Sequence, residues 1–303
     1  MNKHTVTFLA LGLMPFLSGG CRTMSSGASP SLAAIHSKDS VRLIRSTDGL
    51  AAPESVAFDR EGNVLYVSVQ AGTVPGDGSI AKLSVEGELL DAGYIVGLND
   101  PKGIALGNGK LYVANGTELV EVDLRSGAIL GRHTAAGIKF LNDVTIDDEG
   151  NVYVAEMFES AIYRLDRHQV FTEWMKSTEL ENPNGLLAVG DELFVAGWGN
   201  FSNSKPLEAP PGRFLKVNLR TKETTRITAE PLGNLDGLQV NGDESFVLSD
   251  WKAGVIYRVS KQGVVVPILK TERGVGDSLF LREKGLLILP MKMQNQIQFH
   301  QVK

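Results

Sequence analysis

One pattern recurs six times along this chain: a polar side chain followed directly by a short apolar run. The six positions are Glu54 in PESVAF, Lys102 in PKGIAL, Asn142 in LNDVTI, Asn184 in PNGLLA, Asp236 in LDGLQV and Asp277 in GDSLFL, spaced 40 to 52 residues apart. Behind each comes a turn signal, a second apolar run and a third strand-like stretch. The third unit is the plainest, with Val144-Thr145-Ile146, the turn DDEGN (147–151), VYVAE (152–156) and AIYRLD (161–166). Repeats of this period mark propellers or solenoids. Short runs rich in Val, Leu, Ile and Tyr, punctuated by Gly, Asn and Asp, read as antiparallel meanders, and no helical pattern of ten residues or more interrupts them. Six such meanders predict an all-β, six-bladed propeller. A solenoid fits less well, because its repeats are usually shorter and carry helices or tight coils.

The ends of the chain suggest how the ring closes. The sixth unit stops at its third strand, at Lys303, while VRLIRS (41–46) precedes the first unit with no unit of its own. The early strand is therefore expected to complete the last blade. In a propeller the first strand of each blade lines the central channel, so all six polar residues should converge on one mouth. The segments after each second strand, with Glu156, Trp198, Asp250 and Trp251, should ring it. The longest departure from the repeat, GNFSNSKPLEAPPG (199–212), falls there too. It could act as a lid or specificity loop, or be a passive excursion.

Residues 1–21 have a different build. Lys3 and His4 precede an apolar stretch from Val6 to Leu17, then Ser18-Gly19-Gly20 and Cys21, the only cysteine. This is the pattern of an export signal too short to span a bilayer. Its end resembles a bacterial lipoprotein signal with Cys21 as the lipidation site, although Leu17 lies four residues before the cysteine rather than three. Ordinary cleavage near Gly20, giving a soluble periplasmic or secreted protein, is the alternative. Nothing after Cys21, where Arg22 follows, reads as an inner-membrane retention signal, so a lipid anchor in the outer membrane facing the periplasm is expected. Residues 22–38, rich in Ser, read as a tether, and 39–303 as the propeller. A lone cysteine allows no disulfide within the chain, so the fold must hold by packing. A net charge of −5 with no basic stripe gives nucleic acid no footing.

Oxygen donors dominate the six positions: Glu54, Asn142, Asn184, Asp236 and Asp277, with neither Cys nor His among them. Such a set suits a hard cation, calcium first and magnesium second. A plainer reading makes Asn184-Gly185 and Asp236-Gly237 simple turn dipeptides. That reading does not cover Glu54 or Asn142, which share the register.

These motifs resemble those of the regucalcin and gluconolactonase (senescence marker protein) family of six-bladed propellers, distant relatives of the paraoxonases. The resemblance extends over nearly the whole chain after the tether. PESVAF is similar to the family's first-blade Glu motif, LNDVTIDDEGNVYVAE to its Asn-Asp motif, PNGLLA to its Asn-Gly motif and LDGLQV to its Asp-Gly motif. It implies that Glu54, Asn184 and Asp236 bind one divalent cation and that Asn142 binds substrate or the same ion. Two departures stand out. Phe140 occupies the place of an Arg carried by the animal lactonases, leaving Lys102 as a candidate cation for substrate, or as a Lys whose stem lines the channel. None of His133, His168 and His300 lies in a mouth motif, so a paraoxonase-type histidine pair is not expected.

The function this implies is lactone hydrolysis, on a lactone or sugar-acid derivative. Asp236 or Asp277 would act as base, Asn142 would hold a substrate oxygen, and Trp198 and Trp251 would shape an apolar wall. A carboxylate bound to a divalent ion is a poor base, which favours Asp277 if Asp236 is a firm ligand; the family nevertheless assigns the role to the ligating Asp, so the resemblance implies Asp236. Two other classes stay open: a non-catalytic envelope lipoprotein that binds a ligand or protein at the same mouth, and a metal-free condensing enzyme similar to strictosidine synthase, relying on a channel Glu such as Glu156 or Glu54.

Overall fold

Strands such as VLYVSV (Val64–Val69) and VYVAE (Val152–Glu156) are buried at nearly every position, as a sheet covered on both faces requires. A computed structural model describes residues 40–303 apart from 73, 202–204 and 243; the leader, Cys21 and the tether lie outside the described residues. Among the described residues are six four-stranded antiparallel sheets; the first five are simple meanders, and the sixth is a three-stranded meander with a fourth strand from the start of the chain. Their innermost strands are Pro53–Asp59, Pro101–Gly107, Leu141–Ile146, Pro183–Val189, Leu235–Val240 and Leu279–Leu281. Each packs against the next, and the last against the first, so the sheets close into a six-bladed propeller.

Apolar packing joins each blade to its neighbours. One apolar cluster fills each junction between neighbouring blades. Leu65, Ile288 and Phe299 join the last blade to the first, and Phe194, Phe214 and Phe246 join the fourth to the fifth. The closure expected from the chain ends is present. Val41–Asp48 pairs antiparallel with Gln296–Val302, from Val41 opposite Val302 to Asp48 opposite Gln296, and becomes the outer strand of the sixth blade.

The inner strands share an irregularity. In the first five blades the register against the second strand slips by one residue in the stretch that carries the polar position, between Pro53 and Val56, Pro101 and Ile104, Leu141 and Val144, Pro183 and Gly185, and Leu235 and Leu238. Such bulges re-aim side chains and sharpen local twist. Here they sit at the channel end where the polar residues gather.

The turn reading of the Asn-Gly and Asp-Gly pairs is thereby corrected. Both pairs lie inside strands. Gly185 is needed for close approach: a Cβ there would overlap the carbonyl oxygen of Asp236 on the neighbouring inner strand. Gly237 faces the backbone of Asp277 and Ser278 in the same way. Side-chain-free positions let adjacent inner strands crowd together and narrow the channel.

Candidate functional site

Ring closure brings Glu54, Lys102, Asn142, Asn184, Asp236 and Asp277 to the same end of the channel, and all six are buried. The contacts cross blades. Asn184 Nδ2 donates to Asp236 Oδ2 at 3.2 Å. Ser55, next to Glu54, donates its hydroxyl to Asp277 Oδ2 at 2.6 Å, and the Asp277 amide donates to the Glu54 carbonyl at 2.8 Å. A seventh residue joins them. Asp143 accepts the amide hydrogens of Val144 at 2.7 Å and of Leu186, on the next blade, at 2.6 Å. Together with Asp277 it lines a channel cavity of about 290 Å³ whose walls include Val56, Ile104, Val144 and Leu186.

Four buried carboxylates at one channel end perturb one another. Burial pushes Glu54 up to about 7, against the pull of Lys292 and Lys102. Asp236 is held well above the usual carboxylate range by burial, then by Glu54 and Asp277. Asp143 is raised in the same manner by burial and by Asp277. Asp277 rises only to about 6, because the Ser55 hydroxyl and the Leu238 amide stabilise its charge against burial.

Three oxygens in this group are buried with no hydrogen-bond partner: Glu54 Oε2, Asn184 Oδ1 and Asp277 Oδ1. Buried acceptors without a partner are costly, and a hard cation would satisfy Glu54 Oε2 and Asn184 Oδ1, so the donor chemistry fits calcium or magnesium. No group of three or more His, Cys, Asp or Glu side chains among the described residues is arranged to hold an ion by itself. A cation here therefore depends on the Asn184 amide oxygen as well as on Glu54 and Asp236.

Other expected residues have different surroundings. Lys102 is buried, with its ammonium on the Asp100 carboxylate and 4.3 Å from the centre of the Phe140 ring; burial lowers its pKa. Asn142 directs Nδ2 at the Met157 sulfur, 3.5 Å away. The Trp198 indole donates to the Pro206 carbonyl at 2.7 Å and its ring is buried, so it secures the 199–212 insertion from beneath. Lys252 adds bonds to the Leu207 and Ala209 carbonyls, both at 3.0 Å. The half-exposed aromatic wall is formed by Phe140, Phe158, Phe201 and Trp251. Glu156 and Asp250 are local clamps. Glu156 accepts the amides of Phe140 and Phe158, and Asp250 that of Ala253.

Two residues escaped the sequence reading. Asp143 sits in the small-residue slot of its motif, where the other units have Ser or Gly; that break in the pattern was the available signal. Lys292 follows the second strand of the sixth blade, so the rule that located Trp198 and Trp251 would have located it too.

A surface cavity of about 520 Å³, with Val189, Phe194, Val240 and Phe246 in its lining, lies toward the opposite ends of the fourth and fifth inner strands. It is not the site of the buried carboxylates.

No protein-family model matches this chain, and neither does any curated protein. Among solved structures it is similar to virginiamycin B lyase from Staphylococcus aureus, with a TM-score of 0.61 and 11% identity over 87% of this chain and 99% of that one. A streptogramin B lyase is similar at a TM-score of 0.58 and 13% identity, covering 88% and 98% of the two chains. A catalytically inactive histidine-to-alanine variant of the S. aureus lyase with quinupristin gives a TM-score of 0.59 and 14% identity, covering 87% and 99%. At these identities the shared property is the six-bladed fold.

Proposed function

We propose that this protein is a divalent-cation-dependent hydrolase of lactones or related carboxylic esters, acting at the carboxylate-lined end of its channel. The observation that carries the reading is the unsatisfied pair Glu54 Oε2 and Asn184 Oδ1 beside Asp236, three buried oxygen donors from three blades. A hard divalent cation bound by Glu54, Asn184 and Asp236, with Asn142 alongside, would supply charge stabilisation for an ester carbonyl. Asp277 is the better-placed base. One of its oxygens has no hydrogen-bond partner and the other is oriented by Ser55, which leaves the first to take a proton from water. Asp236 fills that role only where no ion depresses its basicity. Asn142 makes just a weak bond to a thioether, so its amide is free to exchange that partner for a substrate oxygen. None of His133, His168 and His300 lies in the mouth motifs, and proton transfer falls to carboxylates.

A second reading has its own support. Glu54, Asn142, Asn184 and Asp236 are only 5%, 6%, 1% and 5% exposed, which suits a structural ion in a non-catalytic binding propeller. A pH-stat assay on aldonolactones and aliphatic lactones, with and without chelator, separates the two. Hydrolysis abolished by chelator and by Glu54→Ala supports the enzyme. Chelator that lowers the thermal midpoint with no turnover of any lactone supports the binding module.

The export signal and Cys21 extend the proposal to a lipid-anchored envelope protein; no helix among the described residues is long and apolar enough to cross a membrane. Metabolic labelling with palmitate should mark the wild type and not Cys21→Ser.

A further inference from the structure

We infer that the mouth selects substrates by an apolar, aromatic-sized substituent rather than by sugar hydroxyls; this rests on the hydrolase reading and names its substrate class. The Glu156 carboxylate is wholly buried, and its two oxygens grip two separate segments: Oε2 accepts the Phe140 amide at 2.7 Å and Oε1 the Phe158 amide at 2.8 Å. This clamp sets the Phe140 and Phe158 rings nearly parallel, 4° apart, with centroids at 4.5 Å. Phe201, from the insertion, meets Phe158 edge-on at 5.5 Å. Trp251 leans on Trp198 at 5.9 Å and carries the Arg273 guanidinium at 5.3 Å. Phe140, Phe158, Phe201 and Trp251 stay half-exposed over a floor of Met157, Trp198 and Ala209.

Two contacts join this cluster to the proposed site. Asn142 touches Met157, and the Lys102 ammonium lies against the Phe140 ring. A substrate whose polar end reaches Asn142 would therefore lay its remaining atoms along the aromatic rings. Apart from the Lys102 ammonium, held on Asp100, and the Arg273 guanidinium over Trp251, the polar side chains beside the rings have little to offer a polyol. Glu156 is filled by amides, Asn182 binds the Met157 carbonyl and the Phe201 amide, Asn234 holds the Trp198 and Pro210 carbonyls, and Glu181 pairs with Arg213. Sugar recognition needs free donors and acceptors, since unmatched hydroxyls lose their water on entry. What this wall presents instead is carbon surface, set in place by a buried carboxylate.

The test compares three probes: γ-phenyl-γ-butyrolactone, γ-butyrolactone and glucono-δ-lactone. A buried phenyl group stacked among aromatic rings should raise kcat/KM over the unsubstituted ring by about tenfold, with the gluconolactone poorest. In Phe158→Ala that phenyl-to-unsubstituted ratio should collapse toward unity, and Phe158→Tyr should restore it. Phe201→Ala, on the insertion, is the second variant should Phe158→Ala fail to fold. A separate readout is quenching of tryptophan fluorescence by 4-phenylbutanoate against butanoate. Quenching that depends on Phe158 with no lactone hydrolysed would uphold the aromatic seat and remove the hydrolase. Hydrolysis with no phenyl preference, or a preference untouched in both alanine variants, would overturn the seat while the hydrolase stands. Neither quenching nor hydrolysis would overturn both.

Discussion

Gly185→Ala puts the construction of the channel to a direct test, because two accounts of that glycine predict opposite signs. Gly185 does not adopt the left-handed backbone, so alanine meets no backbone strain there. Were it merely a turn residue, alanine would narrow the unfolded ensemble and stabilise the protein by about 0.4–1 kcal/mol. In the folded chain, however, an ideal Cβ would sit more than an ångström inside the 3.0 Å limit from the Asp236 carbonyl oxygen, and 3.1 Å from the Ala196 Cβ. The obstructing atom belongs to the backbone of the neighbouring blade's inner strand, with no flexible side chain to swing aside. Overpacking of this kind costs about 1–3 kcal/mol, and a backbone clash belongs near the top of that range. With a urea m-value of about 3 kcal/mol/M for a domain this large, the midpoint should fall by about 1 M. Equilibrium urea unfolding of both proteins in chelator, followed by tryptophan fluorescence, measures it. An unchanged or raised midpoint would refute the close-approach account. The same displacement moves Asp236, so any stabilisation by added calcium should also shrink in the variant.

Further expectations follow from the same geometry. In chelator, Glu54 should make stability fall as pH rises. Its folded pKa of about 7 lies above the ordinary 4.5, so the native state holds the extra proton between those values, and the stability it confers is lost on passing pH 7. The drop from pH 5 to pH 8 should be on the order of 3 kcal/mol, and Glu54→Gln should flatten that part of the profile; a parallel profile in the variant would show that Glu54 titrates normally. Truncation to a chain starting at Gly49 removes Val41–Asp48 and leaves Gln296–Val302 as an open edge. Light scattering should detect association and the thermal midpoint should drop, whereas an unaltered monomer would contradict closure by that strand. Trp198→Phe removes the indole bond to Pro206, worth about 1 kcal/mol, so limited proteolysis within 199–212 should quicken several-fold while cleavage elsewhere is unaffected.

The six-fold repeat, the strand content and the closing strand were legible in the primary structure, because hydrophobic period and turn chemistry are local properties. The polar register was legible too: Glu54, Lys102, Asn142, Asn184, Asp236 and Asp277 lie where the repeat places them. Partners were not. That Lys102 would be buried against the Phe140 ring, that Trp198 would fasten the insertion, and that Glu156 would clamp two phenylalanines all depend on contacts between segments distant in the chain or between side chain and backbone. The bulge repeated along the inner strands and the need for glycine at 185 arise from how tightly neighbouring strands approach, which no single motif encodes. Local chemistry determined which residues reach the channel. Only the closed ring decided which of them find a partner and which oxygens are left without one, because burial and cross-blade distance exist only after the blades have packed.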